Sequence, residues 1–473
     1  MEKFYSTLPS IPVNLRMNKT KAGFENWRHS IGHGGINKYP LPPAVTKGLA
    51  ALKPRLVRTF IQEYFNIYPT HDTFNWTDLD PYMESLAASG GKVVAAITIK
   101  PKPLFSEVNQ DVIIPNDVAE WQRVVEALVN RYSVEKPIVT HWEVGNEMDM
   151  GEPGGCPYRT QEPDVYNAYY RITVEAVLRA FPGAKVGGPV LAVPQHPMME
   201  GLIKYCAETG VPLDFVSWHG YSDDPQYFVR CMTHVKALLD KYFPGKKIET
   251  MVTEFSKWFH DGKVEDAEMD GLRSATVAAS VMDMADAGVD WTFYYHIWDQ
   301  VLVSGQFAPF FSPGGVDDMM TYWNKTPCNF GLFDVCGKAR PIYYMYKLLA
   351  EMAGAECEAE SGAADIRVKG VVDDSGTARV MLVNYDQHHS RDVLAALDFN
   401  GVGDGFKLLT IHRVDGNSRV DGELLVPVER RYTQVAAEYS EREFFCQVYL
   451  PANSVALVTL ERVMEEDMLA SYG

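Results

Sequence analysis

From about residue 25 to residue 350, short runs of β-branched and other apolar residues alternate with longer stretches of helical periodicity. The short runs predict strands, and the longer stretches predict amphipathic helices. Such alternation is typical of repeated βα units around a parallel sheet. The pattern predicts eight strands, at residues 28–34, 55–61, 92–99, 139–146, 185–191, 214–220, 248–254 and 291–298. Eight units indicate an α/β fold in which the sheet closes into a (β/α)8 TIM barrel.

After a helix-like segment at 341–352, the pattern changes to short runs of alternating apolar and polar residues separated by Asp, Gly and Ser. Short alternating strands with such turns are typical of a β-sandwich. We therefore expect a barrel over residues 16–352 and a C-terminal β-sandwich domain over residues 353–473. Residues 1–15 look extended, and we expect them to add a strand to the sandwich.

Composition narrows the range of partners. The chain has 473 residues, enough for two domains, and a formal net charge of -18. A surplus of negative charge repels phosphate backbones and anionic lipids, so neither nucleic acid nor a membrane surface is an expected partner. We find neither an apolar run of membrane-spanning length nor a signal-like start, which predicts a cytoplasmic protein.

No cofactor motif stands out in the sequence. The seven cysteines lack metal-ligand spacing, and there is no His-Glu-x-x-His, Walker or dinucleotide-binding pattern. We therefore expect free thiols, no metal and no cofactor. Three Asn-x-Thr triplets, at Asn18, Asn75 and Asn324, are interpreted as chance matches.

Two predicted strands end in glutamate. The fourth ends in Asn146-Glu147 and the seventh ends in Glu254. The carboxyl ends of all strands meet at one end of a barrel, so these side chains should converge. A carboxylic acid and a carboxylate about 5–5.5 Å apart are what retaining glycoside hydrolysis requires. A lone glutamate is usually a solvated surface group, but a position at the end of an apolar strand argues against that here.

Other polar and aromatic residues close neighbouring strands. His219 and Tyr221 lie two residues apart at the end of the sixth strand, on the same side of an extended chain. The tyrosine hydroxyl there is placed to bond a carboxylate. His219, and His33 near the end of the first strand, fit either the pocket or a structural network. Trp298 ends the aromatic eighth strand and is expected to stack on a sugar ring.

At this point the sequence closely resembles glycoside hydrolase family 39, a clan A family that includes β-xylosidases and α-L-iduronidases. The resemblance runs through Gly187-Gly-Pro189, residues 202–221 and Val252-Thr-Glu254-Phe. It continues in Asn329-Phe-Gly-Leu-Phe-Asp and Arg340-Pro-Ile-Tyr-Tyr, which are similar to the family's exit from the barrel.

The resemblance implies roles for individual residues. Glu147 would be the acid/base, Glu254 the nucleophile and Tyr221 its hydrogen-bonding partner. Asn146 would bond the sugar 2-hydroxyl, and His219 would line the subsite. Arg58 is similar to the second-strand arginine beneath the nucleophile, and a cation there would keep the carboxylate ionised. The sugar-stacking place would fall to His296 or Trp298.

The surroundings of Glu147 depart from the family. This chain has Gly145-Asn146-Glu147-Met148-Asp149 where the family usually has Trp-Asn-Glu-Pro, and family 51 arabinofuranosidases are closer in this segment. The leading hypothesis is therefore retaining hydrolysis of a terminal β-linked sugar, as in a β-xylosidase, on an oligosaccharide or glycoside substrate.

Three alternatives stay open. The chain could be an α-L-arabinofuranosidase, or an enzyme acting on a uronic acid. In the second case, Lys100, Lys102, Lys257 and Arg28 are candidates to pair with the substrate carboxylate. It could also be a non-catalytic carbohydrate-binding protein on the same fold. The sequence leaves the oligomeric state open, including a homo-oligomer.

Overall fold

The computed structural model describes residues 8–258, 267–325, 330–416, 426–435 and 444–470. Its first strand, β1 (Ser10–Gly23), belongs to a sheet formed with the C-terminal strands. The next eight strands are parallel and close into a barrel in chain order. They are β2 (His29–Gly32), β3 (Leu56–Gln62), β4 (Lys92–Thr98), β5 (Val139–Val144), β6 (Lys185–Leu191), β7 (Phe215–Tyr221), β8 (Glu249–Ser256) and β9 (Trp291–Tyr295).

The predicted barrel is confirmed, and each predicted strand overlaps one observed strand. The main difference lies in the last strand, which ends at Tyr295 rather than at residue 298. The backbone beyond it turns away to bridge residue 333, so His296 and Trp298 lie in the loop that follows the strand. Aromatic residues continue past the strand end, which is why sequence pattern alone overran it.

The helices lie between these strands and around them. Proline stands in the first turn of several, where its missing N–H costs nothing. The helices are α1 (Pro43–Ala50), α2 (Leu79–Ala87), α3 (Val118–Val129), α4 (Pro163–Ala180), α5 (Pro197–Thr209), α6 (Pro225–Tyr242), α7 (Ala267–Ala287), α8 (Ser304–Phe307), α9 (Pro313–Met320), α10 (Pro341–Ala350) and α11 (Glu465–Ala470). None of the described helices is long and apolar enough to cross a membrane.

The amino end of the barrel is filled by apolar side chains. Inward-facing residues near the strand starts, including Leu56, Phe215 and Phe293, form one buried cluster. Below them the rings of Trp27 and Trp291 pack 5.0 Å apart. This layer closes the end of the barrel opposite the glutamates.

The second sheet contains β1 and eight strands that follow the barrel. These are β10 (Ala355–Ser361), β11 (Ile366–Val372), β12 (Ala378–Asn384), β13 (Val393–Asn400), β14 (Gly405–Val414), β15 (Glu429–Val435), β16 (Phe444–Leu450) and β17 (Ser454–Arg462). Their order in the sheet is β15-β14-β17-β12-β11-β10-β1-β13-β16, and β1 pairs antiparallel with β10 and parallel with β13. Because β1 pairs through Gly23, the barrel begins after that residue rather than at residue 16. Residues 1–7 of the expected N-terminal strand lie outside the described residues.

The sheet is fastened to the barrel through α7 and the loop after β7. Arg367 Nε donates to Asp283 Oδ1 at 2.7 Å, and the hydroxyl of Tyr385 donates to the carbonyl oxygen of Asp223 at 2.6 Å. Asp223 lies two residues after the end of β7, so this contact supports the rim of the barrel from outside.

Candidate active site

Arg58 organises the layer of polar side chains at the carboxyl end of the barrel. It extends inward from β3, is fully buried, and uses all three guanidinium nitrogens. Nε donates to Glu143 at 2.9 Å, Nη1 to Glu254 at 3.2 Å, and Nη2 to Asn146 Oδ1 at 2.7 Å. A planar fork of this kind fixes the angles as well as the distances of its partners. Arg58 therefore sets the position of Glu254 relative to Asn146.

Glu147 follows β5 in an unusual backbone conformation. Its φ is 43°, in the left-handed region that non-glycine residues rarely adopt. Its N–H donates to Val190 O at 2.7 Å, which helps to hold this conformation. The carboxylate packs on Gly154, where any β-carbon would collide with it. These contacts turn the side chain into the barrel mouth.

His219 and Tyr221 of β7 bring the two glutamates together. The Nδ1 atom of His219 lies 2.8 Å from Glu147 Oε1 and 3.7 Å from Glu254 Oε2. The hydroxyl of Tyr221 donates to the other oxygen of Glu254. One oxygen of each carboxylate and a ring nitrogen of His219 all lie within 4.8 Å of one another. The predicted site residues Asn146, Glu147, His219, Tyr221 and Glu254 are thus neighbours.

Burial controls the protonation of this cluster. It raises the pKa of Glu147 to about 8, with a further contribution from Asp149 and an opposing one from Arg58. Burial also raises the pKa of Glu254, although His219 and Arg58 oppose the rise. Burial lowers the pKa of His219 to about 4, so its imidazole is neutral near pH 7. The arrangement favours a single proton on the two carboxyl groups, and that proton is bound to Glu147.

Among the described residues, Glu147, His219 and Glu254 form a set of side chains close enough to hold a metal ion. The guanidinium of Arg58 lies only 3.2 Å from Glu254 and carries a permanent positive charge. A cation placed there would be repelled at short range in a poorly screened site. The cluster is therefore better suited to acid/base chemistry than to metal binding.

The structure places the other predicted residues beside this cluster. The rings of His33 and His296 stack 5.8 Å apart, and His296 Nε2 lies 3.1 Å from Asp299 Oδ1. Burial holds the pKa of His33 well below its usual value, so its ring is neutral. Both of its nitrogens are buried without a hydrogen-bond partner among the described residues. Trp298 is half-buried in the loop after β9, where its backbone bridges Phe333.

Two residues of the mouth escaped the sequence reasoning. Trp323 approaches edge-on to Tyr295 and His296, with ring centroids 5.7 and 6.2 Å away. It lies in the long excursion after β9, far from any predicted strand end, so no local pattern indicated it. Glu143 could have been predicted, because a charged residue inside an apolar strand usually has a buried partner of opposite charge. In this structure that partner is Arg58.

The basic residues considered for a substrate carboxylate are mostly engaged elsewhere. Lys100 donates to three backbone carbonyls, those of Asn109, Val112 and Pro157, at 2.6–3.0 Å. Arg28 lies at the opposite, amino end of the barrel, where its guanidinium stacks on Trp27. The remaining two candidates lie near the rim: Lys257 lies 3.4 Å from Asp223, and Lys102 lines a side cavity of about 560 Å³.

Comparison with known proteins agrees with the fold and extends it. The family model described as "Glycosyl hydrolases family 39" matches residues 56–420. A curated β-xylosidase of Geobacillus stearothermophilus is 23% identical over 249 residues, which cover 46% of this chain and 48% of that protein. The chain therefore aligns with about half the length of that relative. Of the segments that carry the resemblance, Asn329 lies outside the described residues.

Solved structures match over nearly the whole chain. A glucosidase from Croceicoccus marinus superposes with a TM-score of 0.74 at 19% identity, covering 96% of this chain and 99% of that one. A monomeric β-xylosidase from Caulobacter crescentus superposes with a TM-score of 0.72 at 18% identity, covering 96% of this chain and 100% of the other. At such identities the likeness establishes the shared fold.

Proposed function

Because the chain belongs to glycoside hydrolase family 39, we propose that it hydrolyses a terminal β-linked sugar with retention of configuration. The observation that carries this proposal is the convergence of two buried carboxyl groups, Glu147 and Glu254, within 4.8 Å around His219. Carboxyl groups this close leave no room for a water between them and suit a covalent intermediate. In this scheme Glu254 is the nucleophile and Glu147 is the acid/base.

The first step forms a glycosyl ester. Glu254 attacks the anomeric carbon, and Glu147 gives its proton to the oxygen of the departing group as the glycosidic bond breaks. The raised pKa of Glu147, about 8, keeps that proton in place at neutral pH. The guanidinium of Arg58 and the hydroxyl of Tyr221 stabilise the negative charge on Glu254 until it attacks.

The second step returns the enzyme to its starting state. Glu147, now a carboxylate, takes a proton from water, and the resulting hydroxide adds to the anomeric carbon as the ester bond to Glu254 breaks. His219 is neutral and lies 2.8 Å from Glu147, so it orients the acid/base without adding charge. The side-chain oxygen of Asn146 accepts from Arg58, and one N–H of its amide donates to Gly154 O. Its second N–H can therefore donate to a sugar 2-hydroxyl.

We propose a β-xyloside as the substrate. The curated β-xylosidase supports this choice, since family membership alone spans several sugars. The structure weakens the case for a uronic acid, because Lys100 is saturated by backbone carbonyls and Arg28 lies at the amino end of the barrel. Of the four candidate cations, only Lys102 and Lys257 near the rim are left for a substrate carboxylate. An α-L-arabinofuranoside remains the alternative, and both pentosides belong in the first assay.

The test is hydrolysis of a panel of aryl pentosides and hexosides, with the first-formed anomer followed by NMR. We expect release from aryl β-xyloside and initial formation of β-xylose. Initial formation of α-xylose would rule out the double displacement. Sugar binding without turnover on any member of the panel would instead support a carbohydrate-binding protein on this fold.

A further inference from the structure

The segment 302–324, which we call the strap, lies at the carboxyl end of the barrel as one unit. Its ends are tied together, because Leu302 N donates to Asn324 Oδ1 at 3.0 Å and Asn324 Nδ2 donates to Leu302 O at 2.7 Å. The rings of Phe307, Phe310 and Phe311 also pack against one another within it, at centroid distances of 5.0–5.6 Å. The strap starts after β9 and reaches the loop after β5, on the opposite side of the eight-stranded barrel.

Glu152 fastens the far end of the strap. The N–H of Ser312 donates to Glu152 Oε1 at 2.8 Å, and the hydroxyl of Ser312 donates to Oε2. The same hydroxyl accepts from Gly315 N at 3.1 Å and so caps α9. Glu152 is buried, with 2% of its surface exposed. A buried carboxylate with both oxygens engaged makes charge-assisted bonds, which are stronger than neutral ones.

The loop that carries Glu152 is also the loop against which Glu147 packs. Gly151 N donates to Glu147 O at 2.8 Å, and Asn146 Nδ2 donates to Gly154 O at 3.2 Å. A β-carbon on Gly154 would collide with the Glu147 carboxylate, so loop and acid are in direct contact. The contact between Glu152 and α9 is therefore attached to the loop that lies beside Glu147.

The returning part of the strap stands on the other side of the mouth. Trp323 packs edge-on against Tyr295 and His296. In the proposed reaction the departing group lies at Glu147, so the sugar ring extends from there toward Glu254 and the β9 side. The strap then stands where a sugar chain would continue beyond that ring.

We propose that Glu152 is a positioning residue that determines specificity for chain ends. By holding α9 on the loop after β5, it closes the mouth into a pocket that accepts only a terminal sugar. The inference rests on the proposed glycosidase function and adds to it the reason for exo action.

The test compares Glu152→Gln with Glu162→Gln, a control that removes the same charge from an exposed residue ten positions along. Gln accepts through only one oxygen, so one of the two Ser312 bonds is lost. We expect KM for aryl β-xyloside to rise about tenfold with kcat changed less than about threefold, as for loss of one charged hydrogen bond. We also expect cleavage of xylo-oligosaccharides blocked at the non-reducing end, which neither wild type nor control should cleave.

Gly315→Ala breaks the same contact by a different route. A β-carbon at residue 315 would collide with the Glu152 carboxylate and push α9 away. It should reproduce the rise in KM, and the double variant with Glu152→Gln should be no worse than the stronger single variant, because both remove one contact. Additive effects would overturn the shared latch.

Hydrogen exchange separates failure of the latch from failure of the function. In Glu152→Gln, we expect the amides of α9 to exchange about tenfold faster than in wild type, with no change in the control. If the wild type is active but Glu152→Gln has unchanged exchange, KM and chain-end preference, the role of Glu152 is overturned and the proposed glycosidase function is not. A wild type that cleaves no glycoside would overturn the specificity role together with the proposed function, whatever the exchange result.

Discussion

The two ends of the barrel bury opposite kinds of side chain. The amino end holds an apolar cluster with the paired rings of Trp27 and Trp291 beneath it. The carboxyl end holds Arg58 among Glu143 and Glu254, all within the same closed ring of strands. Burying apolar surface stabilises a fold, whereas burying charges costs desolvation that their mutual attraction only partly returns. One end therefore holds the barrel together, and the other retains charge that stability alone would not select.

β8 presents both cases on one strand. At its amino end, Glu249 accepts from Lys185 at 2.8 Å, with the imidazole of His141 3.8 Å away. Burial alone would raise its pKa, but His141 and Lys185 hold the pKa of Glu249 down to about 2. At the mouth, burial wins and the pKa of Glu254 rises. The same residue type is thus a stabilising ion-pair partner at one end and a buried carboxyl group with a raised pKa at the other.

The largest expected effect comes from Glu254→Gln. Removing the carboxylate that we propose as the nucleophile should lower kcat on aryl β-xyloside by at least about 10³-fold, because an amide cannot form the glycosyl ester. The fold should survive, since the amide still accepts from Tyr221. The matched control is Glu249→Gln, five residues earlier on β8, which should keep full activity. Equal kcat values for wild type and Glu254→Gln would remove Glu254 from the mechanism.

Phe293→Ala tests the apolar end. Phe293 is fully buried in the cluster at the amino end of the barrel. Truncation should cost about 3–5 kcal/mol of unfolding free energy through lost burial and the cavity left behind. The kcat of the folded protein should stay within about twofold, because the site lies at the opposite end. Urea unfolding and assays on the folded fraction measure the two effects, and a large loss of kcat would show that the two ends are coupled.

Much of this arrangement could be predicted from sequence, because strands and their ends are local signals. The runs at residues 139–146 and 248–254 predict strands, so the glutamate at the end of each run is conspicuous. That is enough to select Glu147 and Glu254. The role of Arg58 could be predicted only from the family resemblance, because the sequence around a single arginine in an apolar strand does not indicate which residues it contacts.

The parts that sequence could not supply depend on contacts between distant segments. Trp323 reaches Tyr295 only because the strap folds back so that its two ends meet. Lys100 looks available at a strand end, but the loops after β4 and β5 place three carbonyls around its ammonium group. Arg28 is the first residue of a predicted strand, so its position at the amino end of the barrel could be predicted from the sequence. Its stacking on Trp27 could not be predicted.

Glu147→Gln should make the protein more stable at neutral pH. In wild type the folded-state pKa of Glu147 is about 8, above its ordinary value of 4.5. Between these two values the unfolded chain gains by ionising this carboxyl while the folded protein does not, so wild-type stability falls as pH rises. The variant escapes this cost, and we expect its Tm to be higher by about 2–4 °C at pH 8, with little difference below pH 4.5. A constant difference from pH 4 to pH 8 would contradict the assigned shift.

Glu249→Gln should show the opposite sign and the smallest effect. The folded-state pKa of Glu249, about 2, lies below its ordinary value of 4.5, so the ionised carboxylate favours the folded protein. That contribution is present above pH 4.5 and is lost as the pH falls toward 2. The partly exposed pair with Lys185 limits the loss to about 1 kcal/mol at pH 7. Urea unfolding of wild type and variant at pH 7, 4 and 2.5 measures this loss of unfolding free energy.

The difference in stability between wild type and Glu249→Gln should become smaller as the pH falls, whereas the difference between wild type and Glu147→Gln should become larger as the pH rises. A variant more stable than wild type at pH 7 would mean that burial, not ion pairing, also controls the carboxylate at the amino end, and the contrast between the two ends would fail.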